Sequence, residues 1–152
     1  MKPILILGIG NILLKDEGIG VRVIEAMQKM ELPPDIELCD GGTAGADLLD
    51  IVADRQKLIV IDTADADVPP GTVLKLKPED LAKEDKAEVS LHEFGLTQTL
   101  FMAAQLNCAP KEVVIFGIKP FELSLSTELS PQIAALIQPL IKVVLAEAAS
   151  VQ

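Results

Sequence analysis

The chain is poor in aromatic residues and sulfur. Among its 152 residues there is no Trp and no Tyr, and aromatic residues make up 3% against 49% hydrophobic residues. A chain of this length can form one domain around a substantial core, which must here be aliphatic. The two cysteines, Cys39 and Cys108, lie far apart in the sequence. We expect them to be two small buried thiols and not a disulfide.

Basic residues are also scarce. The chain has 13 Lys and Arg against 23 Asp and Glu, a net charge of -10. Binding to a phosphate backbone needs clustered basic side chains, so we expect no nucleic-acid partner. The apolar runs are far shorter than a membrane span, and Met1 to Pro3 lead into a strand and not into a secretory signal. We therefore expect a cytoplasmic monomer with no membrane contact.

The most distinctive segment is the glycine-rich stretch Gly8 to Gly20. It follows the apolar run Ile4 to Leu7, which predicts a buried parallel strand, and it precedes a helical pattern. A dinucleotide-binding loop would need its third glycine where Leu13 stands, and no Gly-Lys-Ser/Thr sequence completes a Walker loop. The segment therefore predicts a loop that carries Asp16 and Glu17 to the carboxyl end of the first strand, where ligands bind in open α/β sheets.

The rest of the chain alternates between strand and helix patterns. It predicts a single domain over residues 1–152 with a mostly parallel twisted sheet of about five strands and one antiparallel edge strand. A helix is expected from Ile19 to Met30, and Ser130 should cap a last helix that Pro139 bends. The expected parallel strands are Ile4–Leu7, Ile36–Cys39, Leu58–Ile61 and Val113–Phe116, and the edge strand is Thr72–Lys77.

Three of these strands end in acidic residues. Asp16 and Glu17 follow the first strand, Asp40-Gly41-Gly42 the second, and Asp62 the third. Right-handed crossovers between parallel strands place their carboxyl ends at the same edge of the sheet. We therefore expect these acids to meet at one rim.

His92 is the only histidine, which restricts the possible chemistry. A zinc-protease helix would need a second histidine where Leu96 stands, and no Gly-x-Ser-x-Gly sequence provides a serine nucleophile. A Cys39–His92 pair is conceivable, but no positive charge near Cys39 in the sequence would lower the thiol pKa. The remaining arrangement combines Glu17, Asp62 and His92, a nitrogen and oxygen ligand set suited to a divalent transition metal.

In combination these motifs resemble the NiFe-hydrogenase maturation endopeptidases. The resemblance extends over nearly the whole chain, in the right order and spacing. The residues that carry it are Gly8, Gly10, Asn11, Asp16, Glu17, Gly18, Gly20, Asp40, Gly41, Gly42, Thr43, Gly45, Asp62, His92, Gly95 and Leu96.

The resemblance implies a three-layer α/β/α sandwich and an aspartic-type, nickel-dependent peptidase of narrow scope. Such an enzyme removes a short C-terminal extension from the precursor of a hydrogenase large subunit once nickel has been inserted. The metal-contacting residues of the family fall on Glu17, Asp62 and His92, and its first loop acid falls on Asp16. Asp16 and Glu17 are thus the candidate catalytic acids, and Asp40, Gly41 and Gly42 the candidate substrate-binding turn.

Two other classes of function remain open. A non-catalytic protein that stores or delivers nickel would use the same three ligands. A nucleotide-binding α/β enzyme would share the sheet and the glycine-rich loop, although both phosphate-binding fingerprints fail. In the maturation hypothesis the nickel belongs to the substrate. Carboxylates close together at the rim repel each other, and a cation relieves this repulsion, so the rim should bind a nickel-loaded precursor more tightly than an empty one.

Overall fold

A mixed sheet forms the centre of the protein. The computed structural model describes residues 1–42, 48–81, 89–91 and 94–150. Its main sheet has the order β2-β1-β3-β6-β4, and a short strand, β5, pairs with β3. The strands are β1 (Ile4–Ile9), β2 (Ile36–Gly42), β3 (Lys57–Ala66), β4 (Val73–Leu76), β5 (Val89–Leu91) and β6 (Glu112–Ile118).

Helices cover both faces of the sheet. They are α1 (Ile19–Met27), α2 (Leu48–Val52), α3 (Phe94–Gln105), α4 (Pro131–Ala134) and α5 (Ile137–Ala149). Short 3-10 helices occupy Lys15–Gly18 and Pro78–Asp80. Neighbouring strands β2, β1, β3 and β6 are parallel, whereas β4 runs antiparallel to β6 at the edge. The predicted α/β/α sandwich with one antiparallel edge strand is confirmed.

The alternation of side chains along the strands creates two hydrophobic cores. Ile59 and Ile61 of β3 belong to the core shared with α1, α4 and α5. Leu58, Val60 and Ala64 belong to the core shared with α2 and α3. Successive residues of a strand point to opposite faces, so the even-numbered residues of β3 face α2 and α3. This alternation fixes the direction in which Asp62 points.

Several elements differ from their predicted bounds. Strand β2 continues through Gly42 because Gly42 still pairs with Ile9 of β1. Strand β3 continues to Ala66 because its last residues pair with β5, a strand that the sequence pattern does not predict. Asp62 therefore lies within β3 and not at its end. Helix α1 is shorter than predicted and ends at Met27.

The C-terminal helical segment is interrupted near Pro139. Proline has no N–H to continue a helical ladder, and Pro139 lies in the first turn of α5, where that N–H is not required. The segment Pro131–Ala149 has 19 residues and a mean hydropathy of 1.5, so by length and composition alone it is long and apolar enough to cross a membrane. In this fold its apolar stripe, which includes Ile133, Leu140, Ile141 and Val144, packs in the sheet core.

Candidate functional site

Three acid-bearing segments converge at the carboxyl edge of the parallel strands. Gly8 of β1 lies between Asp40 of β2 on one side and Ile61 of β3 on the other. Adjacent strands are about 4.8 Å apart, so Asp40 and Ile61 are separated by roughly 10 Å across the sheet. Asp62 is one residue further along β3. The predicted rim is therefore present for the residues on β2 and β3.

Two glycines bring the loop after β1 to the same rim. At Gly10, where φ is +141°, a Cβ atom would lie 1.9 Å from the carbonyl oxygen of Glu17. At Gly20, a Cβ atom would lie 2.2 Å from the carbonyl oxygen of Ile61. Only glycine permits these approaches, which fold the loop back on β1 and press the start of α1 against β3. Glu17, three residues before Gly20, is thereby held near the middle of β3, next to the residue before Asp62, and its side chain is half-buried.

Asp62 is a buried acid on the face that α2 and α3 cover. Its side chain is fully buried, and Oδ1 accepts a hydrogen bond of 2.8 Å from the Thr63 N–H. Burial of a carboxylate is costly unless cations or hydrogen-bond donors compensate it.

Asp40, Gly41 and Gly42 form a closed turn at the end of β2. The exposed Asp40 carboxylate accepts a hydrogen bond of 2.9 Å from the Gly42 N–H, and the Gly42 carbonyl accepts one of 3.0 Å from Gly10. Gly42 has φ +47°, and among the described residues a Cβ atom there would come near only the Asp40 carboxylate, at 3.6 Å. The turn is fixed to the glycine-rich loop by the bond from Gly10. A substrate-binding role for these residues stays a prediction.

The third predicted metal ligand, His92, lies outside the described residues, as do Thr43 and Gly45, which contribute to the family resemblance. The neighbouring described residue, Leu91, pairs with Ala64, two residues beyond Asp62 on β3. Within the described ranges there is no group of three or more His, Cys, Asp or Glu residues that could hold a metal ion. The ligand set of Glu17, Asp62 and His92 thus stays a prediction.

Asp16 is bound in the interior and does not face the rim. Its fully buried carboxylate accepts hydrogen bonds from the backbone N–H groups of Phe121 (2.9 Å), Glu122 (3.0 Å) and Ser130 (2.7 Å) and from the Ser130 hydroxyl (2.8 Å). These bonds tie the first loop to the segment 121–130. They favour a positioning role over the catalytic role predicted from the sequence.

The partners of Asp16 had no signal in the sequence. They lie 105 to 114 residues away along the chain. Ser130 does precede α4 as predicted, but its side chain makes no capping hydrogen bond and donates to Asp16 instead. Only the fold could reveal this connection.

The environment of Cys39 disfavours a thiolate. Burial raises the pKa of the Cys39 thiol, and the charges of Asp40 and Glu37 raise it further, although Arg55 acts in the opposite direction. A catalytic thiol needs the reverse shift. The structure therefore provides no support for a cysteine nucleophile at this position.

A second polar cluster lies at the opposite edge of the sheet. The buried Lys57 ammonium donates to the Glu147 carboxylate (2.6 Å) and to the backbone carbonyls of Glu147 (2.8 Å) and Ser150 (3.0 Å). The exposed Lys75 forms an ion pair of 2.6 Å with Glu147. A cavity of about 650 Å³ that Glu147 helps to line opens here. This cluster joins the start of β3 to the end of α5 and contains none of the predicted site residues.

Comparison with known proteins gives a consistent result. Residues 21–147 match the family model described as hydrogenase maturation protease. The chain is 39% identical over 145 residues to the hydrogenase 2 maturation protease of Escherichia coli, covering 94% of this chain and 88% of that protein. It is also 39% identical over 145 residues to the hydrogenase expression/formation protein HupD of Thiocapsa roseopersicina, covering 93% of this chain and 66% of that protein.

The fold agrees with these matches. The structure of the hydrogenase maturating endopeptidase HybD from E. coli superposes with a TM-score of 0.85 at 37% sequence identity, over 97% of this chain and 91% of that chain. Similarity in both sequence and fold thus extends over the rim and over the sheet that supports it.

Proposed function

Since the chain belongs to the hydrogenase maturation protease family, we propose that it removes the C-terminal extension of a NiFe-hydrogenase large-subunit precursor after nickel insertion. The supporting observation is that the three backbone segments bearing Glu17, Asp40 and Asp62 lie at one edge of the sheet. An acidic rim is suited to a substrate that arrives with a bound cation. The working compartment in this proposal is the cytoplasm.

Glu17, Asp62 and His92 are the residues that we propose contact the nickel carried by the substrate. Carboxylate oxygens and an imidazole nitrogen match the ligand preferences of a divalent transition metal and leave coordination positions for substrate groups. Support for including His92 comes from the pairing of Leu91 with Ala64, close to Asp62. Binding through the substrate's own metal would make cleavage conditional on nickel insertion.

The half-buried Glu17 is our candidate for the group that activates the attacking water. Asp62 is fully buried and Asp16 is saturated with hydrogen bonds, whereas Glu17 retains partial access to solvent at the rim. A general base must reach the proton that it removes. The Asp40-Gly41-Gly42 turn would hold the peptide backbone, because two successive residues without side chains permit a close approach of another chain.

Mass spectrometry of a purified precursor tests this function. Incubation of the protein with nickel-loaded precursor should shorten the precursor at its C-terminus, and a folded His92→Ala variant should not. If nickel moves between the two proteins but the precursor polypeptide keeps its full length, the chain is a nickel-delivery protein. Cleavage by a folded His92→Ala variant at the wild-type rate would remove His92 from the ligand set.

A further inference from the structure

Three aliphatic side chains are exposed beside the rim. Ile12, Leu13 and Leu125 are 37%, 53% and 84% exposed. We propose that these residues, the aliphatic platform, bind an apolar segment of the precursor next to the cleaved bond. This inference rests on the proposed function and adds to it the chemistry by which the peptide is recognised.

Backbone pairing makes the platform one surface. The Ser126 N–H donates to the Leu13 carbonyl and the Lys15 N–H to the Ser126 carbonyl, both at 2.9 Å, around a parallel bridge between Leu14 and Ser126. The bridge brings the backbone of Leu13 next to that of Leu125, the residue before Ser126, and both side chains are exposed. Two segments that are distant in sequence therefore share a single apolar face.

The platform is continuous with the candidate site. A Cβ atom on Gly18 would lie 3.0 Å from the Cα of Ile12, so Ile12 packs directly against the residue after Glu17. The Glu17 N–H also donates to the Leu14 carbonyl at 3.1 Å. A peptide that lies on the platform would therefore also run past Glu17.

The platform is exposed but held in place. The Asp16 carboxylate anchors Phe121, Glu122 and Ser130, and the Asn11 side chain accepts a hydrogen bond of 2.9 Å from the Leu13 N–H. The backbone beneath the platform is thus fixed from both ends before any partner arrives. A preorganised surface loses less conformational entropy when it binds a peptide.

Charge selects the precursor over a second copy of this chain as the occupant. The half-buried Glu17 and the exposed Glu122 and Glu128 surround the platform. Two described basic side chains stand against these three acids: Lys15 forms a 3.7 Å ion pair with Glu122, and Arg22, which also pairs with Glu25, donates to the Thr127 carbonyl at 2.8 Å. A second copy with a net charge of -10 would bring like charge to this acidic surround. The surface fits an apolar peptide with neutral or basic flanks.

Steady-state cleavage of nickel-loaded precursor by a Leu13→Ser/Leu125→Ser variant tests the proposal. Because the platform contacts substrate in both ground and transition states, we expect KM to rise about 10- to 100-fold and kcat to stay within about threefold of wild type. Thermal melts should match wild type, since both side chains are exposed in the free protein. A Leu13→Ala/Leu125→Ala variant changes the polarity less and should also raise KM.

The matched control is Phe101→Ser/Leu106→Ser, at an exposed residue of α3 and at the residue that follows the helix. These side chains are 69% and 60% exposed and lie outside the platform. Their replacement should leave KM unchanged. An unchanged KM in the platform variants, or an equal rise in the control, would overturn the platform while leaving the peptidase function intact. Absence of cleavage by the wild-type protein would overturn the proposed function and the platform with it.

Discussion

Replacing Asp16 by asparagine separates a positioning acid from a catalytic one. The buried carboxylate of Asp16 accepts four hydrogen bonds of 2.7 to 3.0 Å, three of them on Oδ2. An asparagine can keep its oxygen at the Oδ2 position, but its NH₂ group would then face the Ser130 N–H. The hydrogen bond from the Ser130 N–H is lost, and two N–H donors then face each other in the protein interior.

The magnitude follows from the bonds affected. A hydrogen bond to a charged group contributes about 1.5 to 3 kcal/mol, and the three remaining bonds weaken when their acceptor becomes neutral. The neutral side chain also avoids the cost of burying a charge, which offsets part of the loss. We expect a net destabilisation of about 3 kcal/mol, equivalent to a fall in Tm of roughly 6 to 12 °C for a domain of this size.

Urea unfolding and thermal melts followed by circular dichroism measure this effect. Ser130→Ala, which removes one of the four donors, should cost about 1 kcal/mol. At low temperature the folded Asp16→Asn protein should still cleave precursor with a raised KM. The substitution shifts the loop that carries Glu17 but leaves the catalytic groups themselves in the protein. An Asp16→Asn protein that melts like wild type but cleaves nothing would refute the positioning role and restore Asp16 as a catalytic acid.

Three further outcomes are expected. Lys57→Met should destabilise the protein by about 3 to 5 kcal/mol in urea, because it leaves the buried Glu147 with only the exposed Lys75, and Lys57→Met/Glu147→Leu should recover most of that loss. Burial raises the pKa of Glu147, but hydrogen bonds from Lys57 and Lys75 outweigh it and hold the pKa below the usual 4.5. Stability from this group is therefore present above pH 4.5 and lost as pH falls through the folded pKa, so wild type should lose more stability in acid than Glu147→Gln. Thr63→Val should stabilise by about 1 kcal/mol and retain cleavage, because the buried Thr63 hydroxyl has no hydrogen-bond partner among the described residues; a loss of cleavage would assign that hydroxyl a role.

The sheet could be predicted because its parallel strands are local apolar runs. Ile4–Leu7 and Leu58–Ile61 carry their own signal, and both lie within buried strands. The strand β5 lacks such a signal, since three residues after a charged stretch become a strand only by pairing with β3. The extension of β3 beyond Asp62 depends on the same non-local pairing.

The candidate site was predictable to the extent that strand topology determines it. The backbone register of the parallel strands places Asp40 and Asp62 at one edge of the sheet, independently of their side-chain conformations. The separation of Asp16 from Glu17 was not predictable, because adjacent acids in a loop look equivalent until the segment 121–130 binds one of them. The exposed platform beside them arises from that same long-range contact.

The most direct test of the account is the ratio of cleavage rates on nickel-loaded and nickel-free precursor, measured by mass spectrometry for wild type and for Glu17→Gln. If the rim recognises the metal carried by the substrate, wild type should cleave the nickel-loaded precursor at least 100-fold faster, a difference of about 2.7 kcal/mol. Glu17→Gln should lose most of its cleavage of the loaded form. Equal rates on both precursors by the wild-type protein would contradict nickel recognition at the acidic rim.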